Sequence, residues 1–157
     1  MGKRDRQSRF YRPQPPFKII EGVDTEPFMR LSPQAVWILT RFYCKWDGQI
    51  RKRTDLSVTY GEVKDTMSTI IFIRAIWECI GFGFIDVFRE GRLERNASIY
   101  GLSNRWRALN DRQKCDEIEV HLGQIRELQR DRTVKCKRPQ LAALRGQLIG
   151  RTNGISG

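Results

Sequence analysis

The sequence has little of what a metal centre or an enzyme active site requires. Its 157 residues include one histidine and four cysteines, and no two cysteines form a Cys-x-x-Cys pair. Because metal sites need clustered ligands with short spacings, we predict no metal and no cofactor. The chain also has no glycine-rich phosphate loop and no paired acids in an apolar setting. We therefore predict that it is not an enzyme and that it binds no small molecule.

Cysteine and histidine residues are therefore expected to have structural roles and not to bind metal. Cys44 and Cys79 lie in apolar segments and are predicted to be small core residues. His121 lies alone in a charged segment and is predicted to be solvated.

The chain also lacks a long uncharged apolar run. Its most apolar stretch, 67–88, contains Arg74, Glu78 and Asp86, and a charge near the centre of a bilayer is costly. The charged opening of the chain is unlike a secretory signal, because no apolar stretch follows it. We predict no membrane span and no membrane partner, and a cytoplasmic location in association with the nucleoid.

Basic residues are abundant, and they are concentrated at the two ends of the chain. The formal net charge is +11, and positions 1–18 and 133–157 each carry an excess of five basic residues. Such an excess indicates a polyanionic partner, nucleic acid before anionic membrane. We predict a basic disordered arm over 1–18, where prolines lie among arginines, and a basic flexible tail over 133–157.

The segment 19–107 has the patterns of a folded domain. Its beginning is predicted to be an irregular or extended lead-in, over 17–28, that packs onto the domain. Ser32 and Pro33 suit the cap and the first turn of a helix, and apolar residues at helical spacing follow them.

Two further helices and a hairpin are predicted after that first helix. A short extended piece at 55–58 precedes 59–62, where capping-box spacing predicts a second, short helix. Ser68 caps a third helix, and Gly83 suits the left-handed residue that ends it. Two strands should follow, over 84–89 and 99–102, with a polar hairpin tip between them.

The segment 108–132 is predicted to be a charged amphipathic helix. Ile118, Leu122 and Ile125 form a thin apolar stripe at helical spacing. The stripe suits an extension helix lying on its own domain, or the seam of a two-helix dimer. Gly123, in the middle of the stripe, argues against a long coiled coil.

The stretch 68–102 resembles winged-helix domains, in which a recognition helix ends in Leu-Gly-Phe-Ile and two strands then flank a wing. The residues that carry the resemblance are Ser68-Thr69, Arg74-Ala75-Ile76, Glu78, Phe82-Gly83-Phe84-Ile85-Asp86-Val87 and Tyr100-Gly101-Leu102. The resemblance covers about 31–107 and extends to small winged-helix proteins of bacterial plasmids, phages and integrated elements. It implies an α+β fold, a winged helix-turn-helix with a three-helix core and a β-hairpin wing.

The resemblance also implies duplex DNA as the partner, in transcriptional regulation or in replication control of a mobile element. In such a domain the last helix of the helix-turn-helix lies in the major groove and the hairpin reaches phosphates. Arginine suits phosphate because its planar fork donates two hydrogen bonds at once. The residues predicted to bind DNA are Arg51, Lys52, Arg53, Thr69, Arg74, Arg89, Arg92, Arg95 and Arg105.

The third helix departs from the usual composition of a DNA-reading helix. Arg74 and Glu78 are its only charged residues, and Ile70, Ile73 and Trp77 lie on the flank nearest the groove or a partner. A helix that is apolar nearly all round is normally buried. We predict that this flank contacts a partner surface, either the lead-in or the charged C-terminal helix of the same chain, or a second copy in a homodimer.

Two other functions remain open from the sequence. The basic composition also suits a protein associated with RNA or the ribosome. The apolar flank of the third helix also suits a winged helix used as a protein-interaction module.

Overall fold

Helices account for most of the described chain, and one small sheet lies between the third helix and the fourth. The computed structural model describes residues 20–48, 53–91, 97–130 and 138–153. The α-helices in these ranges are α1 (Glu26–Met29), α2 (Pro33–Lys45), α3 (Thr69–Gly81), α4 (Arg112–Arg130) and α5 (Arg138–Asn153), and the strands are β1 (Ile85–Arg89) and β2 (Ile99–Leu102). The predicted α+β class is confirmed. The predicted arm over 1–18 lies outside the described residues.

The predicted starts of the first and third predicted helices, which are α2 and α3 in the structure, are confirmed by their caps. Ser32 Oγ accepts a hydrogen bond from the Ala35 amide at 3.2 Å at the start of α2. Ser68 Oγ accepts one from the Ile71 amide at 3.4 Å at the start of α3. Each cap satisfies an amide that has no partner inside its helix.

The predicted second helix is present only as a single 3-10 turn, Tyr60–Glu62. Its capping box is formed, with Thr59 and Glu62 exchanging bonds. Glu62 also pairs with Lys45 of α2 at 2.6 Å, and the hydrogen bond from Lys45 is the main reason that the pKa of Glu62 lies below its usual value. The ion pair therefore fixes the turn to the end of α2.

The predicted hairpin follows a left-handed residue at Gly83, whose φ is +77°. A Cβ atom there would lie 2.7 Å from the backbone nitrogen of Trp106, so both the conformation and the space favour glycine. Strands β1 and β2 are antiparallel, with Ile85 opposite Leu102. Leu56, in the predicted extended piece, makes an isolated antiparallel bridge to Tyr100 at the edge of this sheet.

The core lies between α2, α3 and the inner face of the hairpin. The N-terminal lead-in packs onto it as predicted, but the prediction that it is irregular or extended is wrong for its last part, which forms α1. The ring of Phe28, in α1, meets Phe84 edge-on at 5.9 Å. The largest fully buried side chains include Phe42, Phe82, Phe84, Ile38, Leu39, Ile80 and Ile85.

The prediction of a flexible tail over 133–157 is wrong for 138–153, which form α5. Leu148 of α5 is only 1% exposed and belongs to the same hydrophobic cluster as the core of α2 and α3. Leu122 and Ile125 of α4 are buried in that cluster too. The apolar stripe of α4 therefore packs on its own domain, which was one of the two interpretations left open.

Two single-residue predictions are also wrong. His121 is buried rather than solvated, because α5 packs against α4 and places the Leu144 carbonyl oxygen 3.1 Å from the imidazole Nε2. Cys44 is exposed rather than in the core, because the buried side of α2 is formed by its other apolar residues. Cys79 is fully buried, as predicted. None of the described helices is both long enough and apolar enough to cross a membrane.

Candidate functional site

Helix α3 is exposed at its N-terminal end and buried at its C-terminal end. Thr69 and Ile71 are exposed, and Ile70 is 55% exposed. From Ala75 to Gly81 every residue is buried. Only the first two turns of α3 are therefore accessible to a large ligand.

The flank that was predicted to need a cover is covered within the chain at Trp77, by α5 and not by the predicted lead-in or charged helix. The Trp77 side chain is 8% exposed, and the guanidinium carbon of Arg145, in α5, lies 4.8 Å from its ring centre. One turn further, a Cβ atom at Gly81 would lie 3.2 Å from Ile118 of α4 and 3.4 Å from Leu148 of α5. Both C-terminal helices thus pack on the outer face of α3.

The other two residues of that flank lie closer to solvent. Ile73 is half-buried, and Ile70 remains exposed among the described residues. The structure therefore covers one of the three predicted partner-contact residues fully, one in part, and leaves one at the accessible end of α3.

Arg105, one of the predicted DNA contacts, is turned into the protein. Its side chain is 15% exposed and pairs with Asp86 of β1 at 2.6 Å. It also donates to the carbonyl oxygens of Ile80 and Ile85, at 3.2 and 3.1 Å. Burial lowers the pKa of Arg105, against the opposing effect of Asp86. Arg105 therefore ties the end of α3 to the hairpin and is not part of the candidate surface.

Arg53 is also occupied by internal contacts. It donates to the Leu102 carbonyl oxygen at 3.2 Å and to the Asn104 side chain at 2.7 Å, and its guanidinium lies over the Trp46 ring. Arg53 thus holds its loop against β2. Arg51 and Lys52, its predicted neighbours in the basic loop, lie outside the described residues.

The hairpin carries one described basic residue from the prediction. Arg89 is exposed at the end of β1, opposite Ile99 of β2, and its neighbour Phe88 is 58% exposed. Arg92 and Arg95, at the predicted hairpin tip, lie outside the described residues.

Arg74 lies at the edge of a concave surface that the sequence did not predict. This surface, the arginine cleft, has a volume of about 290 Å³ between α3, the N-terminal end of α2 and the C-terminal end of α4. Its lining residues are Ser32, Gln34, Ile71, Arg74, Ala75, Glu78, Arg126 and Arg130. The cleft therefore brings Arg74 of α3 together with two arginines of α4, which come much later in the sequence.

Glu78 is the one acidic residue among those lining residues, and both of its oxygens are engaged. Oε1 accepts from Arg126 at 2.7 Å, and Oε2 accepts from the Ser32 amide at 3.0 Å. The carboxylate is 6% exposed, and a buried carboxylate is stable only when it is paired in this way. Glu78 therefore positions Arg126 at the cleft.

A sequence signal for Arg126 and Arg130 exists, although it is weak. The two residues are one helical turn apart, and Arg126 directly follows Ile125 of the apolar stripe. A helix that lies on its own domain through such a stripe places the adjacent residues at the edge of the contact. Which part of the domain they would meet follows only from the tertiary structure.

A second cavity of about 300 Å³ lies between α3 and the hairpin. Its lining includes Phe72, Ile76, Val87, Tyr100 and Arg145.

The described residues contain no group of three or more His, Cys, Asp or Glu side chains placed to hold a metal ion. Comparison of the chain with protein families, curated proteins and solved structures finds no match.

Proposed function

We propose that the protein binds duplex DNA through a winged helix-turn-helix. In this proposal α2, the turn Tyr60–Glu62 and α3 form the three-helix core, and the β1–β2 hairpin is the wing. The order and connection of these elements support it, with the short turn directly before α3 and the hairpin directly after it. Transcriptional regulation, or replication control of a mobile element, is the role that suits such a domain, in the cytoplasm and at the nucleoid.

The observation that carries the proposal is the accessible N-terminal end of α3 beside basic side chains. Thr69 is exposed there, Arg74 follows just over one turn later, and the hairpin carries the exposed Arg89. The N-terminal residues of a recognition helix are those that contact base edges in the major groove. The exposed Ile70 suits the methyl group of thymine, which apolar side chains contact in that groove.

The cover over the C-terminal half of α3 limits how the helix could enter a groove. Because α4 and α5 pack beside Trp77 and Gly81, α3 would meet DNA with its end rather than along its length. Few base contacts are then available, and phosphate contacts supply most of the affinity. The net charge of +11, most of it in the two ends of the chain, supports a binding mode in which phosphate contacts outweigh base contacts.

The test is a salt titration with a labelled duplex, read by fluorescence anisotropy. With about six phosphates neutralised, affinity should fall by on the order of a thousandfold between about 50 and 200 mM salt. Changing Arg92 and Arg95 to Ala should lower the slope by roughly 0.9 for each lost contact and leave the melting temperature nearly unchanged. The control is the pair Arg41→Ala and Arg112→Ala, which removes the same charge from exposed positions outside the proposed surface and should leave the slope nearly unchanged.

A flat salt response, or a clear preference for structured RNA, would contradict duplex DNA binding. A protein-interaction module is the second candidate, and the exposed apolar side chains Tyr60, Ile70 and Ile71 favour it. That function predicts that Ile70→Ser abolishes partner binding without changing the salt slope for DNA. The same substitution should alter sequence preference if Ile70 contacts a base.

A further inference from the structure

We infer that the arginine cleft binds a phosphate group of the DNA backbone, so that the contact surface continues from α3 onto α4. This inference rests on the proposed DNA binding and assigns a role to Arg126 and Arg130, which the sequence did not associate with DNA. The cleft would hold one phosphate beside the groove that the end of α3 enters.

The charge of the cleft is unbalanced. Arg74, Arg126 and Arg130 line it with Glu78 as the one acidic lining residue, so the lining carries two positive charges in excess. Guanidinium groups that share a cavity of about 290 Å³ repel one another, and an anion between them relieves that repulsion. A phosphate also matches the guanidinium fork, because its oxygens accept two parallel hydrogen bonds.

The hydrogen bonding of Arg74 points to the same ligand. Its Nε is shielded from solvent and has no hydrogen-bond partner among the described residues. An unsatisfied buried donor costs about 1–3 kcal/mol, more when it is charged. A small movement of the Arg74 side chain toward the cleft would let an oxygen of a bound phosphate accept from this group. Arg126 is already oriented toward the cleft by Glu78, at 2.7 Å.

The backbone around the cleft adds a field of the same sign. Ser32 and Gln34, at the N-terminal end of the 13-residue helix α2, belong to its lining. The amides of a helix N-terminus carry a partial positive charge that favours an anion. Here the Ser32 amide already donates to Glu78, the Ala35 amide donates to Ser32 Oγ, and Pro33 has no amide hydrogen, so this end adds a weak field to that of the arginines. The arginines are the main reason for assigning a phosphate to the cleft, and the helix end adds to their effect.

The place of the cleft suits a backbone phosphate better than a base. Arg74 lies just over one turn after the exposed Ile70 and also lines the cleft, so one residue connects the accessible end of α3 with α4. Arg130 is the last residue of α4. A strand that leaves the end of α3 along this side would pass Arg74 and then the arginines of α4.

The test compares Arg74→Gln with Arg130→Gln, made together, against the control pair Arg41→Gln and Arg112→Gln. Both pairs remove two positive charges. If the cleft holds one phosphate, the cleft pair should lower the salt slope of duplex binding by about 0.9, and the control pair should leave it nearly unchanged. If the double variant folds poorly, Arg130→Gln alone, at an exposed position, should still lower the slope by a measurable part of the roughly 0.9 expected for one phosphate.

A wild-type slope for the Arg130→Gln variant and the cleft pair would overturn the inference and leave the proposed function standing. If the wild-type protein does not bind duplex DNA at all, the proposed function fails. The cleft is then tested with inorganic phosphate, by following the Nε–Hε NMR signal that Arg74→Gln removes. A shift of that signal that Arg130→Gln weakens would support a site for free phosphate, and no shift would overturn the site.

Discussion

Leu148→Ala tests whether α5 is part of the domain core. The Leu148 side chain is 1% exposed, and its end lies against Gly81 of α3, where a Cβ atom would come within 3.4 Å. The substitution removes the branched end of the side chain, and the surrounding helices can close the space only in part. A buried Leu→Ala change costs about 2–5 kcal/mol, and we expect about 3 kcal/mol here.

That loss would appear in one of two ways, depending on whether α5, the last described element, unfolds together with the rest of the domain or before it. If α5 unfolds with the domain, the free energy of unfolding falls by about 3 kcal/mol. If α5 separates first, the loss appears in its local opening equilibrium, and its amides should exchange with solvent roughly a hundredfold faster. Denaturant unfolding followed by circular dichroism measures the first, and hydrogen exchange resolved by peptide measures the second.

Gln147→Ala is the matched control, since it changes the neighbouring residue at an exposed position. It should shift the unfolding free energy by less than about 0.5 kcal/mol. Equal midpoints and equal exchange of α5 in the two variants would refute the docking of α5. Such a result would also remove the cover that we assign to Trp77.

Two further predictions concern the interior. Arg105→Gln should lower the free energy of unfolding by about 2–3 kcal/mol, because two backbone carbonyls and a carboxylate lose their shared donor. Arg107→Gln, whose side chain is 62% exposed, should change it by less than about 0.5 kcal/mol, and equal losses in a denaturant titration would contradict the inward role of Arg105. Among the three cysteines that the structure describes, a thiol reagent should label Cys44 first in the folded protein, because burial raises the pKa of the Cys79 and Cys115 thiols. Peptide mass mapping locates the label, and early modification of either buried thiol would show that the core opens.

The positions of α2, α3 and the hairpin could be predicted because their signals are local. The caps at Ser32 and Ser68 act within one turn of themselves, and the left-handed Gly83 marks the change from helix to strand. The period of the apolar residues then places the two strands of the hairpin. None of these signals depends on what another part of the chain does.

The second helix and α5 were predicted less well, for different physical reasons. The capping box at Thr59 predicts a start and no length, and the 3-10 turn ends at Glu62. In α5, Leu141, Leu144 and Leu148 have helical spacing, but the segment has basic residues and no acidic ones, as a solvated tail does. Its helix is stabilised by packing on α3 and α4, which no local pattern contains.

The candidate site shows the same limit for single side chains. The charge of an arginine can be read from the sequence, but the group that its side chain contacts cannot. Arg105 and Arg53 meet carbonyl oxygens and internal side chains, whereas Arg74 faces a cleft shared with Arg126. Whether an arginine makes internal contacts or lines the cleft depends on residues that are about 20 to 50 positions away from it. Residue type alone therefore cannot distinguish a structural arginine from a binding one.

The packing of α4 and α5 on α3 also has a consequence for how the chain folds during synthesis. The elements from α1 to β2 emerge from the ribosome first, and α5 is the last of the described elements to follow. Until it has emerged, Trp77 and the outer face of α3 lack the cover that Arg145 and Leu148 provide. Apolar surface exposed in this way makes a partly folded chain prone to aggregation. The completion of α5 is therefore the step that ends this exposure, and a chaperone that shields apolar helices would act on the nascent chain before it.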